Sequence, residues 1–269
     1  MYESFYGLKE KPFSKTPDPA YLYKSHQHEE ALERVLFAIQ ERELAVLTGD
    51  IGSGKTTVSR AAMDLLDDTY VIVNIINPRL SPTQFLKTVA KRLDVPDVRY
   101  FKQDIIEQMN GKMEELYGKR LTPVIFIDEA QLIPSKDTLD EIRLLTNYQL
   151  DNMNLITIIL IGQSEFRERL QAKHYDAFRQ RIGISYHLGP LGPEDTRRYI
   201  SFRLERAGRT EPLFTPEAVE LIHTYSKGIP RTINTLCNNA LLYGYGEELS
   251  EIDGRAIEAI LDDVRISLV

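Results

Sequence analysis

This chain of 269 residues has a single cysteine, no long apolar run and no excess of positive charge. The one cysteine, Cys237, excludes an internal disulfide framework, and its apolar neighbours are typical of a small core residue. No stretch approaches eighteen consecutive apolar residues, which predicts that the chain has no membrane span. The first residues lack the basic start and the apolar core of a secretory signal, so the expected compartment is the cytoplasm.

The shortage of positive charge bears on nucleic-acid binding. A formal net charge of −7 argues against a surface that binds nucleic acid through bulk charge, but it leaves room for a local basic patch, particularly one assembled by oligomerisation. The place to look is a cluster of arginines: Arg197, Arg198, Arg203, Arg206 and Arg209. Acidic residues interleave with this cluster, which favours a solvated helical face over a nucleic-acid site.

A glycine-rich loop is the most informative segment that the chain does contain. It matches the pattern G-x-x-x-x-G-K-[ST], which wraps its backbone around the phosphates of a nucleoside triphosphate. Glycine lets successive backbone N–H groups turn towards the β-phosphate, Lys55 supplies a positive charge, and the Thr56 hydroxyl completes the ligand shell of Mg²⁺. The predicted phosphate-binding residues are Gly49, Asp50, Ile51, Gly52, Ser53, Gly54, Lys55, Thr56 and Thr57.

Short apolar segments alternate with helical stretches through the first two thirds of the chain. Nearly continuous apolar, β-branched segments predict strands that are covered on both faces, at 44–48, 70–73, 124–127, 156–161 and 184–188. Helical spacing predicts helices at 28–39, 56–66, 82–94, 103–117, 137–149 and 164–181. Strand alternating with helix indicates an α/β fold with right-handed crossovers and a central parallel sheet flanked by helices.

Two further segments predict where the domains begin and end. Residues 1–27 are rich in turns and aromatic side chains, which favours an N-terminal aromatic strap or linker. The breaker cluster at 189–193 is followed only by helical patterns, at 193–207, 215–226, 230–243 and 253–264. The chain is therefore expected to hold an α/β nucleotide-binding domain at 28–191 and an all-helical lid domain at 192–269.

The predicted strand at 124–127 ends in two acids, Asp128 and Glu129, as in the Walker B pattern. Asp128 is expected to hold Mg²⁺ through water, together with Thr56. Glu129 is expected to orient and deprotonate the water that attacks the γ-phosphate. A strand followed by solvated acids is the alternative, but the upstream loop favours a Mg²⁺-dependent ATPase.

Several segments, one of which contains the two Walker B acids, match one family. They are Phe5-Tyr6-Gly7-Leu8, Pro12-Phe13, Thr16-Pro17-Asp18-Pro19, His28-Glu29-Glu30-Ala31-Leu32, Asp128-Glu129-Ala130-Gln131, Leu160-Ile161-Gly162-Gln163 and Tyr186-His187-Leu188-Gly189-Pro190-Leu191. With the helical lid, they resemble an AAA+ ATPase and, more narrowly, the secretion ATPase family ExeA or GspA with the related pilus-biogenesis ATPase MshM. That family carries a transmembrane segment and a peptidoglycan-binding region after the ATPase. Because this chain stops at Val269 without either, the short MshM-like form or an excised ATPase domain is expected.

The resemblance implies roles for three polar residues. Gln163 matches the sensor-1 position beside Walker B, although it is also compatible with a surface glutamine that begins a helix. Asn77 resembles the switch residue that holds the catalytic glutamate inactive, and a plain turn asparagine before proline is the alternative. Arg231 resembles the sensor-2 arginine of the branch-migration motor RuvB. An exposed arginine at a helix N-terminus is the other interpretation, which the helix dipole disfavours.

The resemblance also implies a site shared between subunits. An arginine finger that enters the neighbouring subunit's site is expected at Arg181, with Arg179 as the second choice and a solvated helix end as the alternative. Tyr23 is expected to border the adenine, and the aromatic segment that contains it is expected to pack as a strap on the α/β core; the two interpretations are compatible. A finger would make the protein a homo-oligomer, a ring or a helix whose assembly depends on ATP.

The resemblance thus predicts an oligomeric ATPase that uses ATP and Mg²⁺ to assemble or remodel an envelope machine, a type II secretion system or a type IV or MSHA-like pilus. Its partner would be a protein of that machine, through which the chain would lie at the inner membrane. A DNA-binding regulator of transposition, similar to MuB, TniB and TnsC, is the alternative. A slow switch in which ATP controls oligomerisation is a third interpretation.

Overall fold

The computed structural model describes residues 1–14, 21–150 and 153–264, which fold as two compact units. One unit, the sheet unit, comprises Glu29–Gly49 and Val58–Leu188. The other, the helical unit, comprises the described parts of Met1–His28, Asp50–Thr57 and Gly189–Val269. The predicted segment Thr16-Pro17-Asp18-Pro19 lies outside the described residues, and the predicted domain boundaries stay predictions.

A five-stranded parallel sheet forms the centre of the sheet unit. Its strands are β1 (Leu44–Gly49), β2 (Tyr70–Ile75), β3 (Thr122–Ile127), β6 (Thr157–Gly162) and β7 (Ile182–Leu188). A separate antiparallel pair consists of β4 (Gln149–Leu150) and β5 (Met153–Asn154). The order across the large sheet is β2-β3-β6-β1-β7, so β1, β3 and β6 are interior strands. All their residues are buried, which explains their continuous apolar sequences.

One helix precedes the first strand of the sheet and the others connect its strands in sequence, as the crossovers of a parallel sheet require. They are α2 (His26–Gln40), α3 (Lys55–Asp64), α4 (Pro82–Arg92), α5 (Lys102–Gly118), α6 (Lys136–Leu145), α7 (Ser164–Leu170) and α8 (Asp176–Arg179). The helix α4 begins with a capping box, in which Ser81 and Gln84 each accept from the other's backbone N–H. The predicted α/β class with a central parallel sheet is confirmed.

Two predicted helices of this unit differ from the observed ones, the first at its C-terminal end and the second in its interior. The helix predicted at 137–149 ends at Leu145, because the following residues turn and lead into the β4–β5 pair. The helix predicted at 164–181 is broken into α7, a 3-10 turn at Lys173–Tyr175 and α8. Ala172 has extended backbone angles, and the Arg179 guanidinium donates to the Leu170 carbonyl at the end of α7 (2.7 Å). A side chain therefore satisfies a carbonyl that a continuous helix would have used.

The helical unit contains the short α1 (Tyr2–Phe5) together with α9 (Pro193–Arg206), α10 (Pro216–Ser226), α11 (Pro230–Gly246) and α12 (Gly254–Val264). The all-helical C-terminal region is thus confirmed. Tyr2, Tyr6 and Phe13 are buried with apolar residues of α9 to α12 in one core. Among the described residues, no helix is both long enough and apolar enough to cross a membrane.

The burial of Arg203 contradicts the expectation that the whole arginine cluster is a solvated helical face. This side chain is buried, and its guanidinium donates to the carbonyl oxygens of Pro12 (2.5 Å) and Ser14 (3.3 Å). The guanidinium also lies 4.4 Å from the centre of the Tyr21 ring. Arg203 therefore anchors the N-terminal segment on α9, which is a structural role.

Gly228 has a φ of +73° at the turn between α10 and α11, and a side chain there would overlap the carbonyl oxygen of Leu191. We expect Gly228→Ala to lower the free energy of unfolding by more than about 2 kcal/mol, because the left-handed backbone alone costs a non-glycine residue about 1–2 kcal/mol and the overlap adds to it. Urea denaturation followed by circular dichroism measures this change.

Gly246 is the matched control, because a Cβ at this last residue of α11 meets no heavy atom within 4 Å. Gly246→Ala is expected to change the free energy of unfolding by less than about 1 kcal/mol. Equal effects of the two substitutions would contradict the assigned packing of Gly228.

Candidate functional site

The glycine-rich loop joins β1 to α3, as its sequence predicts. Gly52 and Gly54 have φ values of +83° and +106°, which only glycine adopts without strain. Lys55 is the first residue of α3, and its ammonium group donates to the carbonyl of Asp50 (2.7 Å). The lysine side chain therefore folds back over the loop, as it must do to reach a phosphate that the loop encloses.

The loop also fits a phosphate group by its unsatisfied polar atoms. The Ser53 side chain is 1% exposed, and within residues 1–14, 21–150 and 153–264 its Oγ has no hydrogen-bond partner. A buried hydroxyl without a partner is costly, and a phosphate oxygen would satisfy it. Thr56 lies in the first turn of α3, where the helix dipole favours an anion. These residues suit a nucleotide phosphate with its Mg²⁺.

Arg231, the predicted sensor 2, starts the helix α11 beside this loop in the helical unit. Its backbone N–H donates to the Gly52 carbonyl (3.2 Å), and a Cβ placed on Gly52 would lie 2.5 Å from the Arg231 Cβ. Its guanidinium-bearing side chain is exposed. The loop and the start of α11 are therefore in direct backbone contact, while the role of the guanidinium stays a prediction.

His28 is a loop neighbour that the sequence reasoning did not assign a role. Its side chain is 4% exposed, its Nε2 lies 3.0 Å from the Ser53 carbonyl, and its Nδ1 lies 2.8 Å from Ser25 Oγ. Burial lowers the pKa of the imidazole, and the Ser53 carbonyl and the charge of Asp195 oppose this shift. A carbonyl can only accept, so Nε2 carries the hydrogen of the neutral ring.

The Walker B acids follow β3 in the sheet unit. The Asp128 N–H donates to the Ile75 carbonyl at the end of β2 (2.9 Å), and Asp128 Oδ1 accepts from the Glu129 N–H (2.8 Å). Glu129 has a φ of +52°, a left-handed conformation that is uncommon for a non-glycine residue. Such strained residues cluster at active sites, where the surrounding structure holds them in place.

Two glutamines hold the Glu129 carboxylate. The side-chain amide of Gln163 donates to Glu129 Oε2 (3.1 Å), and that of Gln131 donates to the same oxygen. Gln131 in turn accepts from the backbone N–H of Gln163 (3.1 Å). Because β3 and β6 are adjacent parallel strands, their carboxyl ends bring these residues to one edge of the sheet. The strand that Gln163 follows lies beside the Walker B strand, as expected, while the sensor role of Gln163 stays a prediction. Gln131 is an addition that the sequence reasoning did not assign a role.

Asn77 makes a local contact. It is exposed, and its side-chain carbonyl accepts from the Arg79 N–H two residues on (3.2 Å). This is the geometry of a turn asparagine, the alternative to the switch role. The residues that contact Glu129 through their side chains are instead Gln131 and Gln163.

The two finger candidates differ in how they are held. Arg179 pairs with Asp176 and donates to backbone carbonyls at the end of α7. Arg181 is exposed and donates to the side chain of Asn147 (2.8 Å). Both side chains thus have hydrogen-bond partners within the chain, and the finger role of either arginine stays a prediction.

Tyr23 packs within the helical unit. Its ring lies 5.9 Å from that of Tyr199 and 5.8 Å from that of Phe202, and its hydroxyl donates to Asp195 (3.1 Å). Burial, and then the bond to Asp195, raise the pKa of the Tyr23 phenol to about 12. The N-terminal segment therefore packs as a strap on the core of the helical unit, where the sequence had predicted the α/β core, and a border with adenine stays a prediction.

Sequence features for the two unassigned residues were present but carried no chemistry alone. His28 stands in the family segment His28-Glu29-Glu30-Ala31-Leu32, and Gln131 ends Asp128-Glu129-Ala130-Gln131. A histidine at the start of a helix and a glutamine after two acids are ordinary surface residues by pattern. Only the fold shows what each of them contacts.

Comparison with known proteins gives one family and one relative. Residues 39–170 match the AAA domain family. General secretion pathway protein A of Aeromonas hydrophila is 38% identical over 253 residues, which cover 91% of this chain and 45% of the relative. The chain therefore spans less than half the length of this relative.

Solved structures with the same fold include three proteins of low sequence identity. The Aeropyrum pernix ORC1 protein in complex with DNA has a TM-score of 0.67 at 18% identity, covering 95% of this chain and 69% of that one. Cdc6p of Pyrobaculum aerophilum has a TM-score of 0.64 at 17% identity, with coverages of 93% and 68%. The Thermotoga maritima RuvB motor has a TM-score of 0.56 at 16% identity, with coverages of 90% and 70%. Identities this low establish the fold alone.

The burial of His28 predicts how the pKa of its imidazole differs from that of a free histidine. We expect the His28 imidazole to titrate below about 6.5, the usual histidine value, because burial disfavours the charged ring. The unfolded chain then binds more protons between the two pKa values. The free energy of unfolding therefore includes the full contribution of the neutral His28 ring above pH about 6.5. This contribution is lost as the pH falls from there through the lower pKa of the folded chain. NMR titration, with the signal assigned by its absence in His28→Gln, measures this pKa, and a value at or above 6.5 would refute the burial argument.

Proposed function

Because this chain is an AAA+ protein of the ExeA/GspA type, we propose that it binds ATP with Mg²⁺ and hydrolyses it to ADP and phosphate as an oligomer. The family generally hydrolyses nucleotides. The observation that carries the proposal for this chain is the Glu129 carboxylate, held by Gln131 and Gln163 at the carboxyl edge of the sheet. The glycine loop continues from this edge at Gly49, the last residue of β1.

The loop residues would bind the phosphates. Backbone N–H groups of the loop and the N-terminus of α3 face an anion favourably, and the buried Ser53 hydroxyl offers a further donor. Lys55 would release the Asp50 carbonyl and donate to the β- and γ-oxygens instead. Thr56 and Asp128 are the residues proposed to hold Mg²⁺, which supplies neutralisation of the charge that develops on the phosphates.

Glu129 would accept the proton of the attacking water. A carboxylate whose one oxygen accepts two amide hydrogen bonds has a fixed orientation and keeps lone pairs for a water. As the proposed sensor 1, the Gln163 amide would also donate to the γ-phosphate and would thereby couple that group to the orientation of Glu129. Arg231, whose backbone is bonded to Gly52, would couple the same group to the helical lid.

For the biological role, we favour assembly or remodelling of an envelope machine, a type II secretion system or a type IV or MSHA-like pilus. The support is the relative's name, General secretion pathway protein A, although the chain covers 45% of that relative. The partner would be a protein of that machine, with the chain in the cytoplasm or bound at the inner membrane through it. The arginine cluster gives little support to the DNA-binding alternative, because Arg203 is buried and Arg197 and Arg198 pair with Glu194.

Glu129→Gln tests the proposed base. We expect this variant to bind an ATP analogue as the wild type does and to lose at least about 99% of its turnover, since general bases contribute roughly 10²–10⁴-fold. A coupled phosphate-release assay and analogue titration measure the two quantities. Glu107→Gln, an exposed carboxylate on α5, is the matched control and should keep full turnover. Undiminished hydrolysis by Glu129→Gln would eliminate Glu129 as the base.

The finger assignment predicts a different pattern for Arg181→Ala. This variant should bind nucleotide normally and lose turnover by roughly 10³-fold or more, because its neighbour's site lacks a charge. Mixing it with Glu129→Gln subunits should restore activity, since the two defects then fall in different sites. Size-exclusion chromatography with a non-hydrolysable analogue checks that both variants still assemble.

Arg179→Ala is the comparison, because it removes contacts that cap α7 and should lower stability more than turnover. If Arg181→Ala kept full turnover, the arginine-finger role would be assigned to Arg179 instead. Wild-type turnover that stays slow even in the assembled state would instead favour a nucleotide-controlled oligomerisation switch.

A further inference from the structure

We propose that His28 is a positioning residue for the phosphate loop: its imidazole holds the Ser53 carbonyl and thereby fixes the direction of the Gly54 N–H. This inference rests on the proposed nucleotide binding by the loop, and it assigns a part of that binding to a side chain outside the loop. His28 touches no reacting atom in this account, and its effect is on affinity for the phosphates.

The direction of the Gly54 N–H follows from the planarity of one peptide group. The Ser53 carbonyl and the Gly54 N–H belong to the same planar peptide unit, so they point in opposite directions. Anchoring the carbonyl at His28 Nε2, 3.0 Å away, therefore aims the N–H to the opposite side. Phosphate loops bind their anion through successive inward-turned N–H groups, and a peptide that flips would present a carbonyl oxygen to the phosphate instead.

A flip of the peptide between Ser53 and Gly54 is accessible because Gly54 lacks a Cβ. A residue without Cβ has access to both signs of φ, so glycine does not itself hold the peptide in one orientation. The +106° φ of Gly54 must then be selected by contacts. The His28 ring supplies one at close range, since a Cβ placed on Gly54 would lie only 2.7 Å from Nε2.

Ser25 determines which ring nitrogen carries the hydrogen. It directly precedes the helix α2, and its Oγ accepts from the His28 N–H (3.4 Å) while lying 2.8 Å from Nδ1. A hydroxyl that accepts from the backbone N–H has its own hydrogen available for Nδ1, which leaves the ring hydrogen on Nε2. The helix cap thus prepares the ring to donate to the loop.

The ring is also fixed in space, because the segment that carries it is anchored on α9. Tyr23 bonds to Asp195, and Arg203 holds the carbonyls of Pro12 and Ser14. His28 is 4% exposed, so water cannot easily replace its hydrogen bond to Ser53. A buried carbonyl that loses its donor carries a desolvation penalty, which a change in the loop conformation would relieve.

The test compares two substitutions of His28 by titration with a non-hydrolysable ATP analogue and Mg²⁺ in a calorimeter. His28→Leu removes the donor and should weaken binding about tenfold, equivalent to about 1.4 kcal/mol. His28→Gln returns an amide N–H near the position of Nε2 and should bind within about threefold of the wild type, roughly 0.7 kcal/mol. Recovery by the amide separates a hydrogen bond from mere filling of space.

His223→Leu is the matched control. This histidine is half-buried on α10, and its Nδ1 lies 2.9 Å from the hydroxyl of Thr196. Its replacement should leave the affinity for the analogue unchanged. Loss of affinity equal to that of His28→Leu would show a general effect of weakening the helical unit and would overturn the proposal.

Other outcomes are also decisive. A folded His28→Leu that binds as the wild type does, or a His28→Gln no better than His28→Leu, would overturn the proposal and leave the proposed function intact. If His28→Leu does not fold, Ser25→Ala keeps the ring but removes the hydroxyl that sets its tautomer. It should weaken binding about threefold, and unchanged affinity would refute the role of His28. A wild-type chain that binds no analogue would remove both proposals.

Discussion

The positive φ angles of Gly52 and Gly54 are the constraint on which the helical unit's part of the candidate site depends. Neither angle is held by glycine itself, so neighbouring groups must select it. The start of α11 meets Gly52, where the Arg231 N–H donates to its carbonyl, and the ring of His28 meets Gly54. A larger residue at either position would collide with these neighbours, which explains why the phosphate-loop sequence needs both glycines in this fold.

A second constraint operates in the sheet unit. Interior strands of a parallel sheet are buried along their length, so polar residues are displaced to the strand ends. Glu129 and Gln163 follow adjacent strands, and their carboxyl ends meet at one edge. The carboxylate there is partly buried, and it accepts hydrogen bonds from the side-chain amides of Gln131 and Gln163. These neutral donors fix the orientation of the carboxylate.

The strands and most helices could be predicted from sequence because apolar periodicity reports burial directly. Apolar periodicity does not predict the secondary structure where tertiary contacts determine it. At Ala172 the helical sequence pattern continues, but the backbone is extended, and the Arg179 side chain donates to the carbonyl at the end of α7. Lys55, Asp128 and Glu129 could be proposed as site residues from sequence because their motifs carry chemistry at fixed spacing. His28 and Gln131 could not, since each acts through a partner distant in sequence, and the burial of Arg203 under the N-terminal segment has the same origin.

The central claim is that the loop from Gly49 to Thr57 binds the phosphates of a Mg²⁺-bound nucleoside triphosphate. Calorimetric titration of the wild type, Lys55→Ala and Lys119→Ala with a non-hydrolysable ATP analogue and Mg²⁺ tests it most directly, because Lys119 is an exposed lysine paired with Glu115. The account predicts one saturable site per wild-type chain, unchanged binding by Lys119→Ala, and a loss of roughly a hundredfold or more in Lys55→Ala, equivalent to about 2.8 kcal/mol. Equal affinity of Lys55→Ala and the wild type would contradict it.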